Sequence, residues 1–274
     1  MIAFLCKTCG CQYGPSDVPP PGCKICEDDR QYVPESGPLW TTLDEMREAG
    51  YKNVIREVEP GLHGIGTQPW FAIGQRPVLV QTPHGNVLYD SNSFIDDDTI
   101  ARVRELGGIA AITASHPHFY GCIIEWSHAF DNAPVYIPRE DEQWITRPDP
   151  VVRIYESAVE LVPGVTLVQT GGHFEGSAVV HWAAGADGRG VLLTGDSIAV
   201  AQDRTYVTFM RSFPNFTPLP ESLVRGAVEA VRPYAFDRIY GGWWQSVVRS
   251  DAKASVERSA ERYIRWLKDP PPAP

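Results

Sequence analysis

Two Cys-x-x-Cys turns near the N-terminus, Cys6-Lys-Thr-Cys9 and Cys23-Lys-Ile-Cys26, separated by thirteen residues, constrain the start of this chain more tightly than anything else in it. The spacing lets two tight turns present four thiolates tetrahedrally to one ion. Gly10 after the first turn and Gly22 before the second suit backbone angles that aim amides at sulfur. Residues 1–37 carry five of the six cysteines and the proline-rich stretch GPSDVPPPG, so this segment cannot form a packed core by itself. Metal binding is therefore expected to fold it. Disulfide pairing is the alternative, and the start MIAFLCKTCG, which has no apolar secretion signal, argues against it. Cys11 reads as a bystander, and Cys122, alone after an apolar segment, as a small buried hydrophobe.

The pair of turns resembles a rubredoxin or zinc-ribbon module, similar to the short rubredoxin-like segment of rubrerythrins. That resemblance implies zinc or iron on Cys6, Cys9, Cys23 and Cys26. Structural zinc is the default, because nothing beyond the four thiolates selects iron.

Residues 38–268 read as one large domain, followed by a proline-rich tail, DPPPAP, over 269–274. With 43% hydrophobic residues, 274 positions suffice for a sizeable core. From Pro69 onward the β-rich runs PVLVQTP, NVLYDS, AAITAS, PVYIP, VTLVQT, SAVVHW and GVLLTGDS are separated by Gly, Pro, Asn and Asp turns. Helical patterns fall between and after them: DDDTIARVRELGG, with an acidic first turn and a glycine stop, then LPESLVRGAVEAVRP and SDAKASVERSAERYIRWLKD. Strands and helices interleave, so the domain is α/β.

His116 and His118 flank Pro117 at the end of AAITAS, where an extended loop can point both imidazoles to the same side. His173 follows two glycines after VTLVQT, and Asp196 ends the apolar run LLTGD. All four sit where a strand gives way to a loop, the place where ligands from separate strands meet at one edge of a layered domain.

The order and context of these residues resemble the metallo-β-lactamase superfamily, whose signature is H-x-H-x-D-H after a strand, then a histidine in a GGH-type turn and a strand ending in GD. The resemblance runs from about Glu57 to the last helix. It implies an αββα sandwich with metal at one edge between the sheets, and hydrolysis of amides, esters, thioesters, lactones or phosphoesters, some members being oxidoreductases. It makes His116, His118 and His173 the three histidines of the first metal position and Asp196 the bridging carboxylate. Where the family has the Asp-His of its first motif, this chain has Tyr120 and Gly121; where its final histidine falls, this chain has Trp243 and Trp244 in RIYGGWWQS. The private ligands of the second metal are absent, and one metal is expected. Tyr120 is the candidate to orient water or protonate a leaving group, and Trp243 to wall off the second position. The loop EPGLHGIGTQPWF, which carries His63, overhangs the active site in the family.

Other conspicuous residues have plainer readings: His181 as a packed strand residue, His128 on a helix face, His84 in a hairpin turn. Trp70, Phe71 and Phe119 are core or pocket aromatics, and YVTFMRSFPNFTPLP after GDS is a candidate specificity loop. A net charge of −10 with scattered Lys and Arg excludes nucleic acid as an expected partner, and no apolar run of about 18 residues indicates a membrane span. The expectation is a cytoplasmic metal-dependent hydrolase of a small-molecule ester, lactone, amide or phosphoester, with zinc at both sites, acting as a monomer or a homo-oligomer. An iron-dependent oxidoreductase using the cysteine site for electron transfer, or a binding protein with a degenerate site, are the alternatives.

Overall fold

A computed structural model describes residues 1–268; the proline-rich tail expected over 269–274 lies outside the described residues. The chain forms an αββα sandwich. The first sheet contains, in order across it, β1 (Lys52–Glu59), β2 (Leu62–Gln68), β3 (Val78–Val80), β4 (Val87–Tyr89), β5 (Ala111–Thr113), β6 (Val135–Pro138) and β7 (Val152–Tyr155). Its first four strands pair antiparallel, while β4 to β7 run parallel. The second sheet contains β8 (Ala158–Val162), β9 (Val165–Gln169), β10 (Ala178–Trp182), β11 (Val191–Gly195), β12 (Arg238–Gly241) and β13 (Val247–Val248). Only β11 and β12 are parallel there.

The layering follows from side-chain alternation, since neighbouring residues of a strand face opposite sides. In β4, Val87 and Tyr89 join the core between the sheets, whereas Leu88 faces the outer layer. In β11, Val191 and Leu193 point inward to the same core and Leu192 outward. Leu192, with Val179 and Ile239, packs under α3 (Glu221–Val231) and α4 (Ala252–Leu267). Over the first sheet lie α1 (Asp97–Glu105) and α2 (Ile123–Ala129), together with the cysteine segment. Asp96 starts α1 by accepting the Thr99 amide at 2.8 Å, which satisfies a donor that the first turn leaves free. No described helix is long and apolar enough to cross a membrane.

One region departs from the sequence reading. Leu62–Gln68 is a strand of the hairpin β1–β2, not a loop, and His63 is a buried strand residue whose ring lies 2.6 Å from Gln81 Oε1. Gly64 and Gly66 mask its β character, and packing requires them: a Cβ at either would come within 3 Å of the Trp244 indole.

The cysteine segment is sealed onto the domain. Leu5–Cys6 pairs with Trp40–Thr41, and Leu5, Ile25 and the four knuckle cysteines share one core with Ile123, Ile124 and Trp126.

Candidate metal centres and pocket

The four cysteines of the two turns converge, all buried and unbridged. Cys6 and Cys26 sulfurs are 3.7 Å apart, and those of Cys9 and Cys23 3.6 Å. A disulfide needs about 2.05 Å. A tetrahedron with zinc–sulfur bonds of about 2.3 Å has edges of about 3.8 Å, so the set fits one tetrahedral ion. Burial pushes the Cys9 thiol well above its ordinary value, a cost that a shared cation would offset. Cys11 stands outside the set; its thiol donates to the Pro117 carbonyl at 3.2 Å, a strut between the cysteine turn and the histidine loop.

His116, His118 and His173 form the second cluster, each almost fully buried. His116 and His118 follow β5, His173 follows β9 and Asp196 follows β11, so strand ends from both sheets deliver them to one edge. His173 Nδ1 donates to the Met210 carbonyl at 2.9 Å, which leaves Nε2 as a lone pair directed 3.4 Å from His118 Nδ1. Ser115 Oγ lies 2.9 Å from His116 Nδ1, and His116 Nε2 lies 3.3 Å from Asp196 Oδ1. Neither of the last two atoms has a hydrogen-bond partner among the described residues. Zinc–nitrogen bonds of about 2.0–2.1 Å give tetrahedral edges of about 3.3–3.4 Å, so the three imidazoles, whose ligand atoms all lie within 4.8 Å of one another, fit a cation; Asp196 stands beside His116 but outside that set. Burial, reinforced by the neighbouring imidazoles, holds His116 and His118 well below their ordinary pKa; burial brings His173 down to about 4. The imidazoles are therefore neutral at pH 7, the form that ligates metal. Asp196 is pushed up to about 8 by burial and then by repulsion from Asp90.

The positions where a second metal would need ligands are occupied by other chemistry. Gly121 has φ +49°, and a Cβ there would sit 2.3 Å from the Asn92 carbonyl oxygen, which leaves no room for a histidine. The structure does not bring Tyr120 to the histidine pocket. It lines a separate, mostly apolar pocket with Ile124, Ile137 and Val152, and its buried hydroxyl has no partner among the described residues. Trp243 does face the histidines: it lines their pocket, packs edge-on against Phe119 at 5.7 Å, and its indole N–H donates to the Ile73 carbonyl. Trp244 turns away to β2 and stacks near Arg56 and Arg76.

The pocket has a volume of about 180 Å³. His118, His173, Asp196 and Phe119 line it, with Phe213 and Pro214 from the aromatic segment 206–220, which is not a plain loop but holds the short strands Val207–Thr208, Met210–Ser212 and Thr217–Pro218. Other singled-out residues lie elsewhere. His84 is exposed in the β3–β4 turn, His128 on α2 contacts Asp149 at 3.0 Å, and His181 in β10 donates to the Ala235 carbonyl. Trp70 is 66% exposed, does not line the histidine pocket, and borders a surface groove with Phe71.

Three residues around the site escape the sequence reading. Asp90, at the end of β4, accepts the Ser115 amide at 2.7 Å. The signal was an acid closing an apolar strand, as in LLTGD. Arg30 lies 3.9 Å over the Phe174 ring, pairs with Asp28 and Glu175, and approaches the His173 carbonyl at 3.4 Å. Gln31 lines the pocket itself. No local pattern marks either of these two.

The profile of the metallo-beta-lactamase superfamily matches residues 74–243. Uncharacterized protein YmaE of Bacillus subtilis (strain 168) is 46% identical over 269 residues, covering 97% of each chain. Among solved structures, VMB-1 superposes with a TM-score of 0.58 at 12% identity, covering 79% of this chain and 99% of its own. DIM-1 metallo-beta-lactamase does so with a TM-score of 0.58 at 13% identity, over 79% and 99%. At these identities the two structures speak for the fold alone.

Proposed function

The chain belongs to the metallo-beta-lactamase superfamily, and from that premise we propose that it is a metal-dependent hydrolase working with a single metal on an ester, lactone, amide or phosphoester. The observation that carries this reading is the inward convergence of buried ring nitrogens, His173 Nε2 lying 3.4 Å from His118 Nδ1, with His116 Nε2 3.3 Å from Asp196 Oδ1. A cation is the simplest group that satisfies the three imidazoles at once.

His116, His118, His173 and Asp196 would hold the metal. Bound there, zinc would supply Lewis acidity, lowering the pKa of a water toward 7 and polarising the substrate's carbonyl or phosphoryl oxygen. The chain's own groups do the rest. The Met210 carbonyl fixes the His173 tautomer by taking its Nδ1 proton in a hydrogen bond, and Ser115 holds the His116 ring from behind. Asp196 is the carboxylate of this edge, so proton acceptance falls to it, the family's other carboxylate being replaced by Tyr120. Phe119, Phe213 and Trp243 exclude water around the reacting centre.

Metal analysis of the full chain, with a hydrolysis panel of esters, lactones, amides and phosphoesters, tests this. Two zinc ions per chain, falling to one in His116→Ala with loss of hydrolysis, is the expected result. A ferric thiolate absorption would favour the iron oxidoreductase instead. Hydrolysis undiminished in His116→Ala would overturn the reading.

A further inference from the structure

A buried cation stands behind the histidine pocket. Arg76, just before β3, is 2% exposed, and burial, opposed by the charge of Asp90, brings its pKa down to about 10, so it stays charged at pH 7. Its Nη2 donates to the Gly241 carbonyl at 2.6 Å and to the Trp243 carbonyl at 3.3 Å, while Nε and Nη1 have no partner among the described residues. Its backbone amide donates to the Gly242 carbonyl at 2.6 Å. One residue thus holds three successive carbonyls from far along the chain. Gly64 makes room for it, since a Cβ there would lie 2.6 Å from Arg76 Cδ. Burying a charge with no ionic partner in contact is unfavourable, and an apolar side chain of similar volume is often at least as stable. The fold alone does not account for this arginine.

The segment it holds faces the metal edge. Trp243 lines the histidine pocket, and Gly242 donates its amide at 2.8 Å to the carbonyl of Gly195, the residue before Asp196. A Cβ at Gly242 would lie 2.7 Å from the Phe119 ring, which is centred 4.6 Å from the His116 imidazole and 5.7 Å from the indole of Trp243. That indole has one hydrogen bond of its own, to the Ile73 carbonyl at 3.3 Å. Its placement therefore depends on the backbone that Arg76 grips. A histidine at this place, as in the superfamily, is fixed by its metal. Trp243 has no such anchor, and the guanidinium supplies one.

We propose that Arg76 is a positioning residue of the hydrolytic site: by gripping the carbonyls of Gly241 and Trp243 it fixes the Trp243 indole as the apolar wall against which a metal-bound substrate packs. Arg76 does not line the pocket, and it acts through Trp243. The inference rests on the hydrolase reading, with its metal on the histidines. An arginine suits the task because the planar guanidinium sends the two N–H bonds of one nitrogen in fixed, diverging directions, which a lysine ammonium does not.

The test uses the full zinc-loaded chain and two chelating probes, with binding read by calorimetry. Acetohydroxamic acid reads the metal with little contact beyond it, and benzohydroxamic acid adds a ring that meets the pocket walls. Wild type should favour the benzo compound. In Arg76→Met that preference should fall roughly 3- to 10-fold, the scale of one aromatic contact, with acetohydroxamic acid binding and the two zinc ions per chain unchanged. Trp243→Ala should lose the same preference, and the double variant no more than either alone, since both act at one indole. Arg76→Lys, which keeps the charge and can still donate, should restore part of it, and it carries the same cycle if the Met variant does not fold. With two zinc ions per chain, four results would overturn the assignment of Arg76 alone: equal binding of both probes by wild type, a preference unchanged in the Arg76 variants, an equal weakening of both probes there, or losses that add in the double variant. Fewer than two zinc ions in wild type would overturn the hydrolase reading, and this inference with it.

Discussion

Asp90 accepts the backbone N–H of Ser115 at 2.7 Å, tying the end of one parallel strand to the residue that precedes His116. Ser115 in turn stands behind the His116 ring, and Gly195, just before Asp196, packs so closely that a Cβ there would lie 2.3 Å from Ser115 Oγ. A buried carboxylate thus positions two ligand-bearing loops without being a candidate ligand itself. Asp90→Ala should lower zinc affinity at the histidine site roughly 10- to 100-fold, the usual effect of losing an outer partner of a ligand. Competition with a chromophoric chelator measures it, and the cysteine site should be unaffected.

Tyr120 has a different fate from the carboxylate it replaces. Its hydroxyl is buried and unpaired among the described residues, beside a pocket that the histidines do not share. Tyr120→Phe should therefore leave turnover within about twofold and stability unchanged or slightly raised, since an unsatisfied polar atom is removed. A large fall in kcat would restore Tyr120 to the chemistry.

Gly121→His recreates the ligand type found at this place in the superfamily, yet it should bring no additional metal. The left-handed backbone alone costs a side chain about 1–2 kcal/mol, and the contact with the Asn92 carbonyl adds to that. Thermal unfolding should show a fall of several degrees or loss of soluble protein, and metal analysis no gain.

Asp141 supplies a pH test. It accepts the Gly176 amide at 2.9 Å through one oxygen, while the other is buried without a partner among the described residues, and burial pushes its pKa up to about 7. An unfolded chain would titrate it near 3.9. The folded state therefore holds the extra proton between about pH 4 and 7, and the stability this gives is lost as pH rises through 7. Asp141→Asn, which cannot ionise, should gain stability over the wild type by about 1 kcal/mol or more between pH 5 and pH 8 in denaturant titrations. Equal pH profiles for the two proteins would contradict this.

The four residues of the histidine edge are legible in the sequence because each follows an apolar run, and in a layered domain such ends converge. The seven runs named there are all strands. The hairpin β1–β2 is not legible, because two glycines in β2 answer to an indole from far along the chain, and no local window contains both. The place of Tyr120 is hidden for a related reason: aligned to a family motif it sits among ligands, but the 3-10 turn Pro117–Phe119 sends Phe119 to the pocket and leaves Tyr120 behind. Gln31 is invisible for the plainest reason, since lining a pocket is a property of surroundings and not of sequence.

The strut from Cys11 to Pro117 joins residues 106 positions apart, and Arg30 meets Glu175 across 145. On the ribosome, the cysteine segment emerges ahead of the domain it packs against and waits for nearly everything it will touch. An ion taken up early would keep it compact through that interval, so that the nascent domain closes on a finished piece, and starvation for metal during synthesis should harm the yield of this protein more than the same starvation imposed after folding.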